Sequence, residues 1–393
     1  MRNKIIVFLF FASSVLLLLS CNDSPTDLGS NLLNQDGVQI TRFDSSVDSM
    51  YQTSSSYKIV KSLTSSSWLL LGKAENITSQ ILMKFVFSQP DSIKQDIVDD
   101  NISILDSWID LHKTYTFGDS NSTFDYEAYK VNSDWSSFTF TSDSFPHLSY
   151  DNLNLASSKS VSGDTLYSFR IDHALVKSWL QNYVDTLLAP NNGLLLSPAA
   201  NCQHLVGFQA YNAYDINDPI LKIVVQKSGS YIDTLTGFVG SDLSIVLGDL
   251  PSVGSTNIAI QPSLCAEGKL YFDMSAIPAN STINSATLTL SLDSSKTVTG
   301  SSYNNSLSVY PYSDSTKKEV YTNYGYVLSR SGNTFTGSIT NIVRLFNNRI
   351  SNQGIVIQAA QETEAAEIFA IFGSNASDKL KRPRLEIVYS RKK

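Results

Sequence analysis

Cys21 is the residue whose surroundings specify its chemistry most sharply. Met1-Arg2-Asn3-Lys4 gives a basic start, residues 5–19 form an apolar run, and Ser20 is a small residue directly before the cysteine. That is the layout of a secretory signal ending in a lipoprotein cleavage box. The run is shorter than the roughly 20 apolar residues that a membrane span needs. Residues 1–20 are therefore expected to be removed, leaving Cys21 as an acylated first residue. Acyl chains, at about 0.8 kcal/mol per buried methylene, would then hold the protein at a membrane. The other cysteines, Cys202 and Cys265, fall one in each half of the chain. In an exported protein they are a candidate disulfide, with two buried free thiols as the alternative.

Oxygen ligands and aromatic rings are the next candidates. Asp119, Asn121 and Asp125 share one loop and suit a structural Ca²⁺, although Asp and Asn so spaced also make turns. Tyr126 and Trp135 in long first-half loops, with Tyr324 and Tyr326 in a second-half loop, are candidate glycan contacts. Sugar C–H faces stack on such rings while neighbouring Asn, Asp or Gln take the hydroxyls. Catalytic patterns are sparse: the chain has no G-x-S-x-G elbow, H-E-x-x-H, C-x-x-C or phosphate-cradling glycine loop. His112, His147, His173 and His204 all lie in the first half, without carboxylates at metal-ligand spacing. A glycosidase pair is invisible in sequence because its carboxylates meet only in space. The formal charge of -7 argues against nucleic acid as a partner.

These residues must be positioned by a β-rich scaffold. Only 17% of residues are charged, while Ser, Thr, Asn, Tyr and Phe abound, as suits sheets with hydroxyl-rich outer faces. Short apolar segments occur twice in the same order. Residues 81–87, 104–111, 128–131, 168–180, 192–196, 205–210 and 219–225 match 269–274, 283–290, 307–310, 335–346, 353–357, 368–371 and 383–389. Such self-similarity indicates a duplicated module. Leu288, Leu290 and Leu292 alternate with Thr289 and Ser291, which predicts a strand with one buried face. Gly193 and Gly354 precede central apolar runs, where a sharp turn is expected. Leu175, Trp179 and Tyr183 recur every four residues after Asp172, predicting a capped helix with its tryptophan in the core. Ile342, Leu345 and Phe346 repeat that helix weakly.

In the second half, residues 269–272, 283–290, 307–310, 339–346, 353–357 and 383–389 together resemble the DNRLRE-type modules. Those are jelly-roll sandwiches similar to carbohydrate-binding modules, so the resemblance implies non-catalytic binding. The first half departs from the pattern: Asp106 and Trp108 stand where the second has Ser285 and Thr287, and long loops intervene at 118–124 and 143–163. Residues 27–33 with 69–72 are similar to the opening of a family of Bacteroidota lipoproteins. Triplets such as Asp164-Thr165-Leu166 and Asp233-Thr234-Leu235 look like O-glycosylation sites of that phylum.

The expected plan is all-β: a signal peptide (1–20), a lipidated flexible tether (21–44), then two tandem jelly-roll-like sandwiches (45–227 and 228–393), each with one short helix. The expected function is that of an outer-membrane lipoprotein of the cell envelope, periplasmic or surface-facing, whose paired modules bind polysaccharide without turnover. A structural or adhesive protein docking an envelope protein partner is the alternative. A carboxylate-dependent glycan hydrolase is the third reading.

Overall fold

The structure, a computed structural model, describes residues 37–392 apart from 212–214, 280, 303–304 and 349. The signal segment, Cys21 and residues 27–33 lie outside the described residues. The first part of the chain carries β1 (Val38–Asp44), β2 (Gln52–Lys58), β3 (Trp68–Ala74), β4 (Ile77–Phe87), α1 (Asp91–Val98), β5 (Ile102–Phe117), β6 (Tyr126–Lys130), β7 (Ala156–Ser162), β8 (Leu166–Ile171), α2 (His173–Val184), β9 (Leu194–Pro198), β10 (Leu205–Gln209), β11 (Ile220–Lys227) and β12 (Tyr231–Gly248). It continues through β13 (Asn257–Ile260), β14 (Ala266–Phe272), β15 (Thr282–Ser291), β16 (Ser306–Asp314), β17 (Glu319–Val320), β18 (Tyr326–Ser331), β19 (Thr334–Ser338), α3 (Thr340–Asn348), β20 (Ile355–Ala359), β21 (Phe369–Phe372) and β22 (Arg384–Lys392). The chain is all-β and sandwich-type, with two curled sheets and a few short helices. The first unit has two α-helices rather than the one expected.

Strand for strand, the two units pair alike. The order β11-β5-β8-β7 and the run β6-β9-β4 in the first recur as β22-β15-β19-β18 and β16-β20-β14 in the second. Strand β12 bridges the two runs of the first unit. Residues 231–238 pair with β11 and residues 237–248 with β4, the register shifting between Val239 and Ser241. In the second unit that bridging place is filled from the other end of the chain: β1 pairs with β22 and β2 with β14. Each half thus gives its leading strand to the other half's sheet. This corrects two expected boundaries. Residues 38–44 are strand, not tether, and a cut at 227/228 separates β12 from the sheet that holds it. The backbone consequently passes between units twice, at 59–67 and 249–256.

Each unit has its own core, one built around Phe85, Ile109, Phe169 and Trp179, the other around Leu288, Leu290, Phe335 and Phe369. The alternation predicted for β15 holds, with Leu288, Leu290 and Leu292 all buried. Asp172 caps α2 by accepting from Leu175 N at 2.9 Å. A third cluster joins the units, bringing Leu70, Tyr115, Phe117 and Leu205 of the first against Ala259, Leu264, Ala366 and Ile368 of the second. Tyr115 stacks on Trp68 at 5.0 Å between centroids and donates to the Glu367 carboxylate at 2.8 Å. A large apolar interface of this kind fixes the units against each other, where a small polar one would let them move.

Glu367 is 1% exposed, and burial pushes its carboxyl up to about 7 against the opposing pull of the Tyr115 hydrogen bond. Burial likewise raises Asp242, to about 6. A raised carboxyl keeps its proton in the folded state after the unfolded chain has lost it at 4.5 for Glu367. Folding therefore takes up protons between about pH 4.5 and 7, and stability falls as pH rises through that window. Asp44, held low by Arg384, acts oppositely, and only in more acid solution. The urea midpoint should be lower at pH 8 than at pH 5, with Glu367 contributing up to about 3 kcal/mol. Glu367→Gln should flatten the dependence. An unchanged pH profile in that variant would contradict the assignment.

Candidate functional site

A polar surface recess lies at one end of the second unit. It is a groove of about 540 Å³ between the start of β15, helix α3 and the loop before β18. The helix forms because Ile342, Val343 and Leu345 are buried against β15. That packing turns Asn341, Arg344 and Asn348, spaced three and four residues apart, toward the groove. Ser281 and Thr282 make the opposite rim, and Tyr324 closes one end.

The polar groups are held in place from behind. Tyr326 Oη accepts from Asn341 Nδ2 at 2.8 Å, and Arg344 Nη1 donates to Asn341 Oδ1 at 3.2 Å. Arg344 Nε donates to the Ile283 carbonyl at 2.9 Å. Tyr324 meets Tyr321 edge to face, with centroids 6.5 Å apart. The loop carrying them is seated by Gly325, where any Cβ would run into the Tyr310 ring. Ser281 is 2% exposed, and its hydroxyl has no hydrogen-bond partner among the described residues. That hydroxyl is closed off from solvent, so Ser281 shapes the rim and offers the groove no donor of its own.

At the matching place in the first unit, α1 packs against α2 and Lys177 pairs with Asp100 at 2.7 Å. The second unit has only the short 273–281 connection there, and its groove is uncovered.

Of the four aromatic candidates, the structure brings one to this groove and one behind it: Tyr324 lines it, and Tyr326 orients Asn341. Trp135 and Tyr126 are corrected. Trp135 is 7% exposed, donates to the Asn192 carbonyl at 2.8 Å and packs on Phe140. Its loop folds over the outer face of β4, β9 and β12 because Leu82, Leu195, Leu243 and Ile245 would otherwise be exposed there. Tyr126 is 3% exposed among Phe124 and Phe169.

The calcium candidates are committed elsewhere. Asp119 Oδ1 accepts from Asn121 N at 3.0 Å, closing a turn, and Asp125 Oδ1 accepts from Lys159 Nζ at 2.5 Å, so an ammonium stands where a cation would. Of the two alternatives for the cysteines, the structure has the free thiols and not the disulfide: Cys202 and Cys265 are both free and buried, and burial pushes the Cys265 thiol up to about 12. The Ser or Thr of the triplets at 91–93, 164–166, 185–187 and 233–235 is exposed in each case.

A second cluster holds the carboxylate pair that hydrolysis would call for. Glu267 and Glu362 lie beside each other, and Lys61 donates to both. Tyr57 donates to Glu267 at 2.7 Å and meets the Tyr312 hydroxyl at 2.6 Å. Burial, with Glu267 beside it, raises the Glu362 carboxyl. Glu267 is 3% exposed and Lys61 fills the space between the acids. Because Lys61 belongs to the first crossing between units, the cluster's evident work is to pin that crossing.

Asn341, Arg344, Asn348 and Ser281 were not singled out in the sequence. Their signal was the polar face of α3, readable only once the helix phase was fixed. No family model matches the chain, no curated protein matches its sequence, and no solved structure matches its fold. The likeness to DNRLRE-type modules thus stands on the motif residues alone.

Proposed function

We propose that this is an exported, lipid-anchored envelope protein that binds polysaccharide in the groove beside α3, without turning it over. The observation that carries the reading is the groove's composition. One aromatic ring, two amides and a guanidinium converge on a hollow of about 540 Å³. Stacking surface together with fixed donors and acceptors is what polyhydroxylated rings require. The signal layout and Cys21 support an acyl anchor, and the outer membrane is the proposed location.

A glycan array probed with the soluble 22–393 chain tests this. Binding should appear on at least one polysaccharide class and weaken at least tenfold in Tyr324→Ala, the loss of about 1.4 kcal/mol expected for one stacking contact. Trp135→Phe should leave binding intact. Silence across neutral and acidic polysaccharides alike would favour the structural or adhesive reading.

A further inference from the structure

We infer that the groove selects acidic sugar chains, with Arg344 receiving a sugar carboxylate; this rests on the glycan-binding reading above. Among the described residues, Arg344 makes its hydrogen bonds to neutral oxygens. Nε donates to Ile283 O at 2.9 Å, Nη1 to Asn341 Oδ1 at 3.2 Å, and Nη2 to Asn284 O at 3.5 Å. A guanidinium has five N–H groups, so one remains on each terminal nitrogen. Those two are the pair that receives a carboxylate end-on.

Charge complementarity points the same way. No residue lining the groove is acidic, and no carboxylate pairs with Arg344 among the described residues. Arg42, Arg170 and Arg384 are neutralised by Glu386, Asp106 and Asp44, whereas Arg382 and Arg391 share with Arg344 hydrogen bonds to neutral oxygens but do not line this recess. Even the corresponding cation of the first unit, Lys177, is paired with Asp100. Arg344 is thus a positive charge whose orientation is fixed by carbonyl and amide oxygens and whose outer edge faces a recess. Asn348, exposed on the same recess, offers an amide for a ring or exocyclic oxygen. A uronic acid, with its carboxylate beside ring hydroxyls, supplies the missing charge together with acceptors and donors for the amides.

The test uses polygalacturonate, alginate, hyaluronan and glucuronoxylan, each beside its carboxyl-reduced form, titrated into the soluble 22–393 chain. At least one acidic polymer should bind and lose tenfold or more on carboxyl reduction. Arg344→Gln should show the same loss on the acidic form, and carboxyl reduction should then weaken that variant's binding no further. Arg344→Lys should keep part of the acidic binding, with steeper salt dependence, while thermal unfolding checks that both variants fold. If reduction leaves binding unchanged while Tyr324→Ala still abolishes it, the acidic preference is overturned and the glycan reading stands. If no polymer of either form binds and the neutral array is also silent, both fall.

Discussion

A chain beginning at residue 61 should lose the fold of its second unit while its first unit keeps its strands. Deleting β1 and β2 strips one neighbour from β22 and from β14 and leaves two long unpaired edges, a state that folded sheets avoid. It also removes Asp44, which accepts from Arg384 at 2.9 Å, and Tyr57, which holds Glu267. The expected loss is the stability of a typical domain, about 5 kcal/mol or more. Hydrogen exchange should show β14, β15, β20 and β22 unprotected and β4, β5, β9 and β11 still protected. A synthetic peptide of residues 37–60 added in trans should restore protection to β14 and β22. Full protection in the truncated chain would show that the second sheet closes without the exchanged strands.

The other large effect belongs to Gly193. Its φ is +78°, in the left-handed region, and a Cβ there would drive into the Met83 carbonyl oxygen of β4. Gly354 occupies the equivalent turn of the second unit, with φ +89° and a Cβ position 2.7 Å from the Leu270 carbonyl oxygen. Neither carbonyl can swing away without breaking its sheet. Gly193→Ala is expected to destabilise by about 3–4 kcal/mol, with Gly354→Ala somewhat less, since strain and a backbone clash add. Gly163 has φ +58° and open space around its missing Cβ. Gly163→Ala should therefore cost only about 1 kcal/mol, the left-handed penalty alone. Chemical denaturation of the three variants checks the ranking, and equal costs at all three would remove the clash argument.

How much was legible in the sequence follows from what each signal reports. Alternation in 283–292, the cap at Asp172 and the two turn glycines are local, and the structure agrees with all of them. The exchange of β1 and β2 for β12 is not local. Residues 52–58, Gln-Thr-Ser-Ser-Ser-Tyr-Lys, carry no apolar alternation and become a strand only because β14 offers a partner. The module boundary expected at 227/228 falls instead in the hairpin turn joining β11 to β12. Trp135 looked exposed because its loop is long, yet apolar residues on the outer face of β4, β9 and β12 draw the loop down. The groove was half visible. Tyr324 stood out by type, whereas Arg344 and Asn341 depended on helix phase and Ser281 on burial.

The central claim is that the recess beside α3 holds a glycan. Hydrogen–deuterium exchange of the 22–393 chain, with and without the polysaccharide that the array selects, tests it most directly. The account predicts new protection in residues 281–284, 321–326 and 340–348, and none at the matching face of the first unit around Asp100 and Lys177. Protection confined to the first unit, or binding that leaves those three segments unchanged, would contradict it.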